Sequence, residues 1–304
     1  MEKKKIKILW LAVLLFLFPY VFTLIYHGKA DPISEELPKS GRSVLLADGK
    51  TLVDLEQFVL YMAAAQIPED YGAEALKCQA VLARTYLYRE MGEERTIEAG
   101  ELGAAYLDEA GMEKLWGNRY SENRRKYEEA VLATEGQTLR YEGAYLSGVF
   151  HRISAGTTRD GGEAFPYLKA MESPEDIQAE GYLSVRTLSF SEAAKALAAQ
   201  AGGGFSLSSE TLLSQLQIVK RDGAGYVEEV LAGVRTFSGD EIASAFGLPS
   251  PCFSWEEYGG NLRITCKGQG HGYGLSQWGA KIKGENGYTY REILSFYFPG
   301  AEIP

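Results

Sequence analysis

The stretch GQGHGYGLSQWGAK, residues 268–281, limits what this chain can fold into more than any other. Gly268, Gly270, Gly272 and Gly274 alternate with other residues around His271, one of three histidines in the chain. Glycine loses more freedom on ordering than any other residue, and a simple turn needs one or two of them. Four in alternation require either repeated positive φ or something that approaches the backbone very closely.

The amino terminus sets the compartment. Lys3, Lys4, Lys5 and Lys7 precede an uncharged apolar run from Ile8 to Tyr26. That run is long enough to cross a bilayer, and the lysines place its start in the cytoplasm. The following HGKAD is a poor cleavage site, so residues 1–29 are expected to be a single-pass signal anchor. Removal as a signal peptide is the alternative, and in both cases the bulk of the chain is extracytoplasmic. Residues 1–29 hold five lysines and one glutamate, so of the formal net charge of −10 the remainder carries −14. Nucleic-acid binders need basic surface to displace counterions, which excludes that class.

Residues 30–50 read as a polar tether and residues 51–304 as the folded domain. Leu55, Phe58, Val59 and Met62 mark an amphipathic helix that runs to the residue before Pro68, with Gln66 on its inward stripe. A second helix, from about Tyr71 to Met91, carries Leu76, Ala80, Ala83 and Leu87 on one face, while Lys77, Arg84 and Tyr88 share another. Residues 92–135 read as a helical insertion. Strands follow at 137–141 and 144–153, joined at Glu142-Gly143. Near the carboxyl end TYRE, residues 289–292, has the form of a capping box. A helix pair, then strands, then helices again indicate an α+β fold with a mixed sheet, and there is no βαβ rhythm. Cys78, Cys252 and Cys266 form no metal-binding spacing. Cys252 and Cys266 flank a hairpin turning near Gly259-Gly260, so they are either a cross-strand disulfide or two small half-buried hydrophobes.

Gln66, His151 and His271 lie near helix or strand ends, where sites are usually built. GxSxG and the P-loop lysine are both missing. No HExxH or comparable cluster accompanies the histidines, so neither metal nor another cofactor is expected. Tyrosines for stacking, glycines that bring backbone amides up to a ligand, side-chain amides and a few cations describe a groove for an uncharged or weakly anionic polymer such as a glycan.

Four blocks carry a resemblance: QIPEDYGAEALKCQAVLARTYLY, FHRISAGTTRDGGEAFPYLKAMESPED, SGDEIASAFGLPSPCF and GQGHGYGLSQWGAK. Their order from Val53 to Ile303 resembles the stage II sporulation protein D family, which includes the amidase enhancers. The resemblance implies a membrane-anchored protein acting on peptidoglycan glycan strands. Its family activity is a lytic transglycosylase of engulfment that attacks the MurNAc–GlcNAc linkage beside a partner amidase/endopeptidase. By motif match Glu74, Lys77 and Arg84 fall on EALK and its following cation. Tyr167 and Lys169 fall on a PYLK segment linked to activity, and His151 on the FHSTSGG histidine. His271 and Gln277 of the glycine block are candidates for substrate contact. Some relatives hold zinc with the matching histidine and nearby cysteines, but Thr157 and its neighbours offer no cysteine, so the metal is not carried over.

The departure is at the acid. The family's catalytic glutamate precedes the hydrophobic residue and proline of EMP, where this chain reads Gln66-Ile67-Pro68. An amide can bond a sugar but cannot deliver a proton. The expectation is therefore either impaired transglycosylase chemistry, with Glu69 or Glu74 as a displaced acid, or a silent glycan-binding module that recruits an amidase. A pure scaffold, without affinity for glycan, is a third reading.

Overall fold

A computed structural model describes residues 37–304, and the anchor segment with the first part of the tether, residues 30–36, lies outside the described residues. Among the described residues no helix is long and apolar enough to cross a membrane.

The first half is built on two helices and a small sheet. Strands β1 (Ser43–Leu45) and β2 (Leu52–Asp54) pair antiparallel. Helix α1 (Leu55–Gln66) follows at once because Asp54 caps it, accepting from the Glu56 amide. It stops at Gln66, and Ile67 turns extended ahead of Pro68, whose ring disfavours helical geometry in the preceding residue. Helix α2 (Ala73–Met91) buries Leu76, Ala80, Ala83 and Leu87, the stripe expected from spacing. Its alanines let α1 approach closely.

Residues 92–135, expected to be an insertion, are woven into this half. Strand β3 (Thr96–Glu98) joins the first sheet parallel to β1. After α3 (Glu109–Trp116), helix α4 (Tyr120–Ala133) places Tyr127 so that its hydroxyl donates to Ile67 O at 2.6 Å. Strands β4 (Arg140–Tyr141) and β5 (Ala144–Tyr145) pair across Glu142-Gly143, both with positive φ, as a two-residue hairpin requires.

The second half carries its own apolar core. Strand β6 (Phe150–His151) leads through loops to β7 (Leu183–Ser189), α5 (Phe190–Ala201) and the short α6 (Leu212–Gln215). Strands β8 (Leu216–Arg221), β9 (Val227–Ala232) and β10 (Arg235–Ser238) form one antiparallel sheet, followed by α7 (Gly239–Phe246). A further sheet has the order β11 (Phe253–Tyr258), β12 (Asn261–Lys267), β7. Leu197, Val230, Phe237, Ile242, Phe246 and Ile264 fill the space between these layers. The architecture is a mixed α+β fold with several small sheets.

The β11–β12 register decides the cysteine question. Phe253, not Cys252, stands opposite Cys266. The three thiols are free and buried, with Cys252 Sγ donating to Gly225 O and Cys266 Sγ to Ser250 O.

The glycine block joins the halves. Strand β13 (Leu275–Ser276) pairs parallel with β6. Helix α8 (Gln277–Glu285) follows this strand at once, because Ser276 is its cap and accepts from the Gly279 amide. The final helix α9 (Tyr290–Tyr297) has the capping box read in TYRE, with Thr289 and Glu292 bonding reciprocally.

Candidate functional site

Gln66 ends α1 on the wall of a cleft of about 310 Å³, together with Met62, Leu82, Tyr86, Ala105 and Phe150. Its Oε1 accepts from Gln79 Nε2 at 2.7 Å, and its Nε2 donates to Ala105 O at 3.3 Å. Gln277 reaches in from α8, donating to Gln66 O at 2.8 Å and to Gln79 Oε1 at 3.0 Å. Among the described residues lining this cleft there is no carboxyl group, and the ionisable one is Tyr86. The Tyr86 hydroxyl donates to Leu102 O, and burial pushes its pKa up.

Apart from Lys169, the other residues chosen from sequence divide into three places. Glu74 and Lys77 lie on another face of α2. Their side chains pair at 2.6 Å, and the second Glu74 oxygen accepts from the Tyr290 amide at the start of α9. Lys77 lines a separate cavity of about 590 Å³ with Glu69, Asp70 and Lys126. Arg84 is wholly enclosed, at 0% exposure, and its guanidinium is held by Glu56, Thr134 Oγ1 and the carbonyls of Val131 and Gln137.

His151, His271 and Tyr167 gather around the glycine block. His151 is 3% exposed, with Nδ1 3.0 Å from Tyr273 O and no partner for Nε2. Burial, then the neighbouring His271, push its pKa down to about 3. His271 Nδ1 accepts from the Tyr273 amide at 3.0 Å, and its pKa is lowered, chiefly by burial. His271 lines a cavity of about 350 Å³ with Ser147, Val149, Phe165, Leu168 and Tyr273. Tyr167 supports its rim, with its hydroxyl accepting from the Ser147 amide at 2.9 Å and its ring near Tyr141 and Phe165. Lys169 stands outside, half exposed, 3.9 Å from Asp160.

The glycines serve the protein's own packing, and the Gly268 and Gly270 amides donate to Tyr182 O and Pro249 O, which corrects the expectation that the block carries amides to a ligand. A Cβ at Gly272 would meet the Tyr226 ring at 2.4 Å, and one at Gly274 would meet Val149 O at 2.2 Å. Both have positive φ. This close contact seats the block against β6 and fixes the two histidine rings 5.9 Å apart.

Sequence reasoning missed Gln79, Arg159 and Asp176. Gln79 was visible as an amide among the buried positions of α2. Arg159 joins Asp222 at 2.9 Å and Asp240 at 3.3 Å while its guanidinium lies over Tyr273. Asp176 is buried, accepts from Ser154 N and Ser276 Oγ, and is pushed up to about 6 by desolvation. Neither pairing leaves a trace in local spacing.

Two rings do not make a metal centre. Among the described residues no three His, Cys, Asp or Glu side chains cluster to hold an ion, and the buried thiols are bonded elsewhere. The residues present do not fit a zinc site of the kind the resemblance brings up.

The sequence is 31% identical over 263 residues to stage II sporulation protein D of Bacillus amyloliquefaciens, covering 83% of this chain and 74% of that protein. The chain belongs to the stage II sporulation protein D family. The family profile described as SpoIID, Stage II sporulation protein, matches residues 49–141, from the end of the tether through β4. The relative of the same name from Bacillus subtilis is 29% identical over 287 residues, 90% of this chain and 80% of that protein. The Bacillus subtilis protein named amidase enhancer is 24% identical over 288 residues, 78% of this chain and 39% of its own length. Family membership therefore rests on most of the folded domain, with Gln66 and most of its cleft inside the profile's span and Gly148 and Phe150 beyond it.

Proposed function

We propose that this chain is a membrane-anchored, extracytoplasmic sporulation protein that grips peptidoglycan glycan strands in the Gln66 cleft without cutting them. In this reading it recruits or stimulates a cell-wall amidase. The observation that carries it is the cleft wall, where a carboxamide stands at the position of the family's acid and no lining residue supplies a carboxyl. Scission of a glycosidic bond by transglycosylation needs one group that protonates the leaving oxygen, since the sugar's own hydroxyl serves as nucleophile. An amide offers hydrogen bonds to that oxygen and no transferable proton. Glu69 and Glu74 favour the same reading, because one is held by Arg119 and Asn123 and the other by Lys77 and the Tyr290 amide. The name of the amidase enhancer relative supports the amidase as partner.

Purified protein incubated with glycan strands stripped of peptide is expected to release no anhydro-muropeptides, and Gln66→Glu to gain release. Robust release by the native chain, abolished by Glu69→Gln or Glu74→Gln, would overturn the reading. Sedimentation with insoluble peptidoglycan tests the grip. Ala104→Trp, which fills the cleft, is expected to abolish it, and a native chain that does not sediment would be a scaffold instead.

A further inference from the structure

Three carboxamides form one hydrogen-bonded chain whose direction is fixed at both ends. The carbonyl oxygen of Gln66 can only accept, so the Gln277 atom 2.8 Å away must be its nitrogen. That nitrogen also faces Gln79, so the atom it meets at 3.0 Å must be Oε1. Gln79 therefore turns its nitrogen to the side chain of residue 66, at 2.7 Å, and the atom it meets there is an acceptor. The remaining terminal atom of residue 66 faces Ala105 O at 3.3 Å, again a group that can only accept. Both ends demand the same polarity, and Gln79 and Gln277 are buried, so turning either amide over would leave its atoms facing like partners.

We infer that Gln79 is a positioning residue that presents one donor to the side chain at 66, so that its other atom, beside Ala105, is held as a hydrogen-bond donor to an uncharged acceptor oxygen in the cleft. On the glycan reading proposed above that oxygen is a glycosidic or ring ether. The frame itself rests only on the hydrogen bonds. It has a consequence for acids: a neutral carboxyl fits one donor and one acceptor as well as an amide does, whereas a carboxylate would set an oxygen against the Ala105 carbonyl. The lining residues carry no charge to offset this, and the one ionisable group, Tyr86, gives its hydroxyl to Leu102 O. Position 66 is thus framed for a group that stays neutral and donates, whether or not it can release a proton.

The test needs no glycan. In the full chain with Gln66→Glu, pH-difference infrared spectroscopy against the native protein isolates the protonated carboxyl. It is expected to titrate about two units or more above the ordinary glutamate value of about 4.3. Adding Gln79→Met removes the single donor to the charged form and is expected to move the titration a further unit or so upward. A carboxyl that titrates at its ordinary value overturns the frame, and a titration indifferent to Gln79→Met overturns the role of Gln79. If Gln66→Glu folds only at acid pH, the frame accepts the neutral form alone, as inferred. Failure to fold at any pH overturns the inference. Because the readout is a titration, its failure is separate from failure of the glycan reading, which the sedimentation assay decides.

Discussion

Arg84 and Glu56 face each other inside the first half of the fold, Nε to Oε1 at 2.8 Å and an Nη to Oε2 at 2.6 Å, with neither side chain reaching solvent. The pair ties α2 to α1, and the remaining guanidinium hydrogens tie both to residues 131–137 at the end of α4. Removing one partner leaves an unpaired buried charge, which costs about 3–5 kcal/mol. Glu56→Ala and Arg84→Met are each expected to lower unfolding stability by that order in chemical denaturation. The folded fraction of either variant should still sediment with peptidoglycan as the native chain does. Loss of sedimentation by Arg84→Lys with an unchanged unfolding curve would instead place the guanidinium against the ligand.

Asp176 and His151 pull stability in opposite directions as pH changes. Desolvation raises Asp176 from 3.8 to about 6, so between those values the unfolded chain has lost a proton that the folded chain keeps. Stability from this group is full below the lower value and falls as pH rises through the window, by about 3 kcal/mol. Burial lowers His151 from 6.5 to about 3, so on acidification the unfolded chain gains a proton that the folded chain refuses. That contribution is full above the upper value and falls as pH drops, on the order of 3–5 kcal/mol, with His271 acting in the same sense. Relative to the native chain, Asp176→Asn is expected to lose stability more steeply from about pH 6 to 4, and His151→Gln less steeply, in denaturation series across pH. Parallel curves for all three proteins would contradict the assignment.

Local chemistry was legible in the sequence wherever it acts over a few residues. Pro68 ends α1, Thr289 and Glu292 cap α9, and Glu142-Gly143 makes the hairpin, because each signal sits beside the structure it dictates. Gln66 at the end of α1, just ahead of Pro68, was legible for the same reason. What the sequence hid depends on residues far apart in the chain. Asp176 meets Ser276 a hundred residues on, and Gln277 meets Gln66 across the whole fold. Lys77 and Arg84 share a helical face by spacing, but Lys77 lines an open cavity against α4, whereas Glu56 of α1 and residues 131–137 close around Arg84. The glycines were misread since positive φ can serve a ligand or the protein's own backbone, and only the neighbours decide which.

Glu74, in the matched EALK block, pairs within the fold and does not line the Gln66 cleft. One oxygen meets Lys77 and the other accepts from the Tyr290 amide, an otherwise unpaired donor in the first turn of α9. Losing a capping acceptor of this kind costs about 0.5–2 kcal/mol. Glu74→Ala is expected to lower the melting temperature accordingly, with Thr289→Ala acting on the same helix end. Neither should alter glycan release by Gln66→Glu once corrected for folded protein. A fall in that release with stability intact would return Glu74 to the chemistry.

Gly274 offers the sharpest test of why the glycine block exists. Its φ of +69° disfavours any side chain, and a Cβ there would lie 2.2 Å from Val149 O, a backbone atom in the segment leading into β6. Gly287 has φ +87° and open space where its Cβ would point. Alanine at 287 therefore costs only the left-handed conformation, about 1–2 kcal/mol. Alanine at 274 must in addition push β13 away from β6, breaking the pairing of Leu275 with Phe150 and of Ser276 with His151. Gly274→Ala is expected to be the more destabilising in chemical denaturation and to weaken peptidoglycan sedimentation, since Phe150 lines the Gln66 cleft and Gln277 follows Ser276 directly. Gly287→Ala should leave sedimentation unchanged. Equal effects of the two substitutions would mean that backbone conformation alone, and not contact with Val149, made glycine necessary there.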